Sequence, residues 1–315
     1  MTESPSAVEL SIKPPDIATI SPRGRGVPQP AREAPRRRRL GVLARTSPLA
    51  ALTVLYLVGL ALVAIFADRI APYDPLLGNF AEIRQPPSAL HLMGTDDGGR
   101  DVLSRIIFGA RISLSVGFVS VAVGDLLGLV WGLTSGYVGG RFDLISQRVL
   151  EVVLSFPDLI LGTMFMIVLG PGIGTLMVAI AVTRVPAATR IIRSTTLSVK
   201  ERSYVDSARA LGASPTRIIF QHIAPQCLAP LLIIVSAHLG IAITTEAALS
   251  FLGVGVPPPA PSWGVMLAGV SSRFTPLWWL GVFPGLAIAS TVLAANLAGD
   301  ALRDILDPQL RGSGR

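Results

Sequence analysis

Two runs of this sequence, residues 49–67 and 274–299, contain no charged side chain. Each is long enough to cross a hydrocarbon core of about 30 Å as a helix. Lipid offers no partner for backbone N–H and C=O groups, so a lone span of this kind has to be α-helical. Three more apolar regions lie between them: 106–137, interrupted by Asp125; 159–183, broken at Gly170-Pro171-Gly172; and 223–250, interrupted by Glu246. The Gly-Pro-Gly break splits the middle region, so its first half borrows residues 149–157 and its second extends towards Ile192. The pattern predicts an all-α membrane protein with about six spans, near 48–67, 107–136, 149–169, 173–192, 227–251 and 277–299. Half of the residues are apolar and only 15% are charged, a balance unusual for a soluble domain.

Residues 1–46 are polar and Pro-rich and hold no apolar stretch that would serve as a signal peptide. They are expected to form a disordered basic tail. The first span then acts as an uncleaved anchor, the membrane domain covers 47–311, and 312–315 is a short C-terminal tail. Lys13, Arg23, Arg25, Arg32, the run 36–39 and Arg45 place the tail in the cytoplasm by the positive-inside rule. Six crossings then put 68–106 and 252–276 outside, and 193–226 and the C-terminus inside. The 193–226 loop agrees, with Arg193, Lys200, Arg202, Arg209 and Arg217 against Glu201 and Asp206. The net charge of +7 is read as topology and anionic-lipid contact, because no aromatic–basic interleaving suggests nucleic acid. The lone Cys227 cannot pair within the chain and is read as a small packing residue.

Residues 204–225 form a polar, basic insert between apolar segments. Its first half reads as a helix that Gly212 breaks. Ser214 then caps a second short helix with Pro215 at its first position, and this helix is expected to end at Pro225. A helix–Gly–helix knob at a membrane surface is a docking device. In the second span, Gly124, Gly128, Gly132 and Gly136 share one face, a seam that lets another helix approach closely, by preference within the subunit. Asp125 lies beside the seam near mid-membrane, and Glu246 late in the fifth span; a carboxylate at such depth faces a cavity or a partner. Either acid can line a translocation path, and Asp125 can equally be a hydrogen-bonded acid between helices. His238 reads as a packed or interhelical hydrogen-bonding residue, and Arg184 and Arg190 as side chains that snorkel to the surface. His91, His222 and His238 lack metal-site spacing. Asp96, Asp97 and Asp101 do not match a calcium loop. The prolines of 256–261 predict an extended, stiff outer loop, and Trp263, Trp278 and Trp279 are expected at the membrane interface.

The insert resembles the cytoplasmic docking loop, with its Glu-Ala-Ala motif, of ABC-importer permeases. Asp206-Ser207-Ala208, Gly212 and Pro225 keep that motif's spacing, with Asp for Glu and Ser for the first Ala. Three further segments are similar to the C-type permease subunits of dipeptide/oligopeptide/nickel importers. They are His91-Leu-Met-Gly-Thr-Asp-Asp-Gly-Gly-Arg-Asp-Val-Leu-Ser-Arg105 with Gly109-Ala-Arg-Ile-Ser-Leu114; Leu249-Ser-Phe-Leu-Gly-Val-Gly-Val with Pro261-Ser-Trp-Gly264; and Gly299-Asp-Ala-Leu-Arg-Asp-Ile-Leu-Asp-Pro308. Leu92 and Gly98 depart from the usual Pro and larger apolar residue.

The resemblance implies the type I ABC-importer permease fold in a plasma (inner) membrane, with both termini cytoplasmic. It implies a B-type permease as pore partner, two ATPase subunits and an extracytoplasmic substrate-binding protein. It assigns ATPase docking to Asp206, Ala208, Arg209, Gly212, Pro215, Ile218, Ile219, His222 and Pro225. Cargo by this resemblance is a dipeptide or oligopeptide, with nickel complexes or glutathione as alternatives. The residues themselves show no Gly-x-x-x-x-Gly-Lys-[Ser/Thr] phosphate loop. ATP and magnesium therefore belong to partner chains, and this chain is expected to bind no cofactor or metal and to catalyse no reaction. An ion-coupled secondary transporter would need an inverted repeat, and none is evident. The Gly-x-Gly-Asp and Gly-x-Ser-Gly patterns of intramembrane proteases are absent.

Overall fold

The computed structural model describes residues 48–271 and 277–306. The expectations for the tails 1–46 and 312–315 lie outside the described residues, as does the end of the C-terminal motif at Asp307-Pro308.

The first apolar run forms α1 (Pro48–Ile65), followed by the single turn α2 (Ala67–Ile70). Arg111 closes the end of α1: its Nε donates to Ala64 O at 2.9 Å and its Nη2 to Ile65 O at 3.1 Å. A cation there satisfies carbonyls that have no helical partner. The same guanidinium bonds the Asp68 carboxylate and holds it below the ordinary aspartate range.

The second span is α3 (Val102–Val138). It starts ahead of the apolar slab because Asp101 caps it, accepting from Ser104 N at 2.8 Å. The third region departs from expectation. Instead of one helix over 149–169 it forms α4 (Gly140–Leu154) and α5 (Asp158–Leu169), bent by 88° across Ser155-Phe156-Pro157. Pro157 supplies no N–H and disfavours helical backbone at Phe156, which stops α4 there.

After the Gly-Pro-Gly turn comes α6 (Ile173–Lys200), then α7 (Ser203–Ala210) and the short α8 (Pro215–Ile218). The expected stop at Pro225 does not occur. A π-helical turn over Ile219–Ile223 leads directly into α9 (Ala224–Phe251). Ala224 N–H reaches back to Ile219 O, the spacing of a π turn, and Pro225 falls in the first turn of α9, where its missing N–H is least costly.

The proline-rich segment 256–261 is followed by an unanticipated helix, α10 (Trp263–Ser271), before the last span, α11 (Trp278–Leu306). Trp263 and Trp279 are not interface anchors. Both are buried, and their indole N–H groups donate to Ile106 O at 3.1 Å and Thr95 O at 3.3 Å. They pin α10 to the N-terminal part of α3 and α11 to the segment that precedes α3. Trp278 remains exposed.

The most extensive helix pairing is α3 against α6. The four glycines of α3 form its seam. A Cβ added at Gly124, Gly128, Gly132 or Gly136 would lie 2.5 Å from Ala181 O, 2.5 Å from Ala188 Cβ, 2.7 Å from Thr189 O or 2.8 Å from Thr196 Cβ respectively. The backbones approach closely only because those positions carry no side chain.

Candidate functional site

At the end of the bundle where α6 closes, residues 203–223 fold back as a knob on a sealed apolar base. Val205, Ile218, Ile223 and Cys227 pack there with Leu133, Ile192 and Val199. Ile218 is thus turned inward and Ile219 packs against the same base, so neither forms an outer face. The resemblance gives both a docking role; the structure places Ile218 in the base and Ile219 half-buried against it.

Gly212 has φ +81°, with Gly212 N donating to Arg209 O at 2.9 Å and Ala213 N to Ala208 O at 3.0 Å. This left-handed cap reverses the chain between α7 and α8. Ser214 caps α8, accepting from Arg217 N at 3.4 Å. Asp206, Arg209, Pro215 and Pro225 lie towards the surface, while Ala208 and His222 are half-buried. Asp206 pairs with Arg209 at 3.0 Å along its own helix, an exposed contact that contributes little to stability. Tyr204 and His222 hold α7 against the π turn, ring centroids 6.2 Å apart.

Two large apolar residues that local sequence rules do not single out stand exposed on the knob. Leu211 is 89% exposed and Phe220 is 71% exposed. Arg217 lies between them in the chain, its Nε donating to Gln221 Oε1 at 3.0 Å. An apolar pair flanked by basic and amide groups is the composition of an interface core with its rim. The available signal is two large apolar residues within an otherwise polar loop.

The two carboxylates that the sequence offers for a path are sealed. Asp125 is 1% exposed and its Oδ1 lies 2.7 Å from His238 Nδ1, which ties α3 to α9. Glu246 is fully buried and accepts from Ser250 Oγ at 2.9 Å. Each therefore sits between helices and not on a surface. Arg184 does not snorkel: it is buried and pairs with Asp158 at the start of α5. Arg193 pairs with Asp143 of α4. On the opposite end, Asp96, Asp97 and Asp101 are engaged by Arg105, Arg84 and His91.

Comparison with known proteins adds the relationships. Residues 128–312 match the family described as binding-protein-dependent transport system inner membrane component. The chain is 40% identical over 82% of its length to the glutathione transport system permease protein GsiD of Pectobacterium atrosepticum, covering 86% of that protein. It is 39% identical over 82% of its length to the di/tripeptide transport system permease protein DppC of Pseudomonas aeruginosa, covering 88% of it. It is 40% identical to the dipeptide transport system permease protein DppC of Haemophilus influenzae, over 82% of this chain and 90% of that one. Among solved structures, an inward-facing form of the MetNI methionine ABC transporter has a chain that superposes with a TM-score of 0.53 at 18% identity. The match covers 64% of this chain and 96% of that one, a likeness of fold.

Proposed function

The chain belongs to the binding-protein-dependent transport system inner membrane component family, as a multi-pass permease subunit of an ABC importer, and on that premise we propose that it carries peptides inward and docks an ATPase through residues 203–223. The observation that supports docking is the exposure of Leu211 and Phe220 on a knob that has a buried base. The named activities of the relatives support di- or tripeptides, or glutathione, as cargo.

In this reading a second permease completes the pore, two ATPases bind the cytoplasmic knobs, and an extracytoplasmic binding protein delivers the peptide. ATP and magnesium act in the ATPase chains, and this chain itself is non-catalytic. Closure of the ATPase pair pushes on the 203–223 knob. Because the knob is continuous with α9 through the π turn, the push is transmitted along that helix to the sealed Asp125–His238 contact. The purified chain should hydrolyse no ATP. The complete complex in proteoliposomes should take up labelled dipeptide only with binding protein on one side and ATP on the ATPase side. Uptake driven by an ion gradient without ATP would overturn the reading.

Orientation follows the charge pattern, with both termini and the knob cytoplasmic. A cysteine at Ala89, exposed on the 68–101 segment, should react with an impermeant thiol reagent in intact cells. One at Ser203 should react only after permeabilisation. Ser262, on the segment before α10, is fully buried and unsuited. The native Cys227 is buried and adds no signal. The reverse labelling pattern would invert the topology.

A further inference from the structure

We propose that the Asp158–Arg184 ion pair, at the break between α4 and α5, lines the translocation path and that Asp158 receives the ammonium group of the passing peptide; this deepens the peptide-permease reading and rests on it.

Two observations carry the assignment. The first is a charge left open at depth. From the start of α6 at Ile173, Arg184 lies roughly 17 Å along the helix at about 1.5 Å per residue, close to the middle of a hydrocarbon core of about 30 Å. Its guanidinium is 5% exposed, bonds Asp158 Oδ2 and donates to Thr183 Oγ1 at 3.0 and 3.1 Å. The Asp158 side chain, by contrast, is 46% exposed. Asp125 and Glu246, which also lie in apolar spans, are sealed beside His238 and Ser250. A half-open carboxylate at this depth is costly against lipid and belongs against water or another protein surface.

The second observation concerns the backbone. Residues 155–157 are non-helical and exposed, immediately before Asp158. Non-helical backbone at membrane depth is tolerated only where it is covered by protein or lines a water-filled cavity. The open charge and the open backbone coincide at one spot on the subunit surface, which therefore faces water or a partner subunit and not lipid, and a pore shared with a second permease supplies both. Arg184 neutralises one edge of the carboxylate, and Asp158 Oδ1 is the oxygen offered to a cationic group. A peptide with a free amino terminus supplies that group without requiring recognition of its side chains.

The test uses the complex assembled with its partner permease, ATPases and binding protein, in a background carrying Cys227→Ala. The thiol of an Asp158→Cys variant should react with a water-soluble methanethiosulfonate reagent, and peptide-loaded binding protein should slow that reaction at least about threefold during turnover. Leu55→Cys, exposed on α1, should stay unreactive because thiolate does not form in lipid. Asp158→Asn should keep binding-protein-stimulated ATP hydrolysis within about twofold while uptake per ATP falls at least about tenfold, and Asp158→Glu should restore part of the uptake. If Asp158→Asn fails to assemble because Arg184 is orphaned, the double variant Asp158→Asn with Arg184→Gln should restore assembly but not uptake. An Asp158→Cys thiol that stays unreactive throughout the ATP cycle, peptide-insensitive labelling, or full uptake by either Asn variant overturns the proposal. Failure of the unmodified complex to take up dipeptide would instead sink the peptide reading, while the labelling of the Asp158→Cys thiol would still report whether the site faces water.

Discussion

Replacing Gly128 by leucine is expected to reduce the folded chain recovered from membranes to about a fifth of the normal amount or less. The Cβ alone would sit 2.5 Å from Ala188 Cβ and 3.1 Å from both Thr189 N and Val185 O. Two of those neighbours are backbone atoms and the third is held by its backbone, so α3 and α6 must separate. Overpacking a tight site costs about 1–3 kcal/mol, and more where backbone has to move. The α3–α6 pair is the most extensive helix contact, so its separation removes support from Arg184 and from the base of the knob together. Gly59→Leu is the control. It adds the same side chain in α1, where nothing lies within 4 Å, and should accumulate normally. Measurement is by detergent-extracted, size-exclusion-resolved protein. Equal recovery of the two variants would show that the seam is not what holds the subunit together.

The second large effect is expected at the knob. Leu211→Asp combined with Phe220→Ala should leave insertion and folding unchanged, because both side chains point away from the core. It should weaken ATPase association at least about thirtyfold and abolish transport. Full burial of such a side chain contributes about 1.5–3 kcal/mol, and each 1.4 kcal/mol is about a factor of ten in affinity. Gly212→Val should act less strongly, by about tenfold. The Cβ meets no atom within 4 Å, but φ +81° is a backbone region that a β-branched residue disfavours. Asp206→Asn should change little, since its ion pair with Arg209 is exposed and local. Co-purification of ATPases with each variant, followed by uptake normalised to inserted protein, orders these effects. A Leu211/Phe220 variant that binds ATPase normally would remove the docking role from this face.

In the knob, the backbone reversal follows local rules, whereas which side chains are buried does not. Gly212 and Ser214-Pro215 mark a reversal and a helix start through local backbone rules, and both features are present. Which side chains of the following helix face inward is decided by the apolar base over which α8 and α9 join through the π turn. Ile218 and Ile219 pack on that base, and Phe220 stays outward. The break in the third span is legible only in part. Pro157 stands in the sequence, yet a single proline is often absorbed within a membrane helix, as Pro186, Pro230 and Pro284 are here.

What the sequence determined by itself was the set of long apolar segments, their helical state, and the register of small residues along α3. These follow from partition into lipid and from hydrogen bonding within a segment, both local in the chain. The tertiary structure alone decided which face of each helix is sealed. Asp125 meets His238 across 113 residues, and Trp263 meets Ile106 O across 157. Asp125, Asp158 and Glu246 look alike as acids in apolar surroundings, and only the packing of neighbouring helices closes two of them and leaves Asp158 open. Apolar periodicity cannot make that distinction in lipid, where both the buried and the outward faces of a helix are apolar.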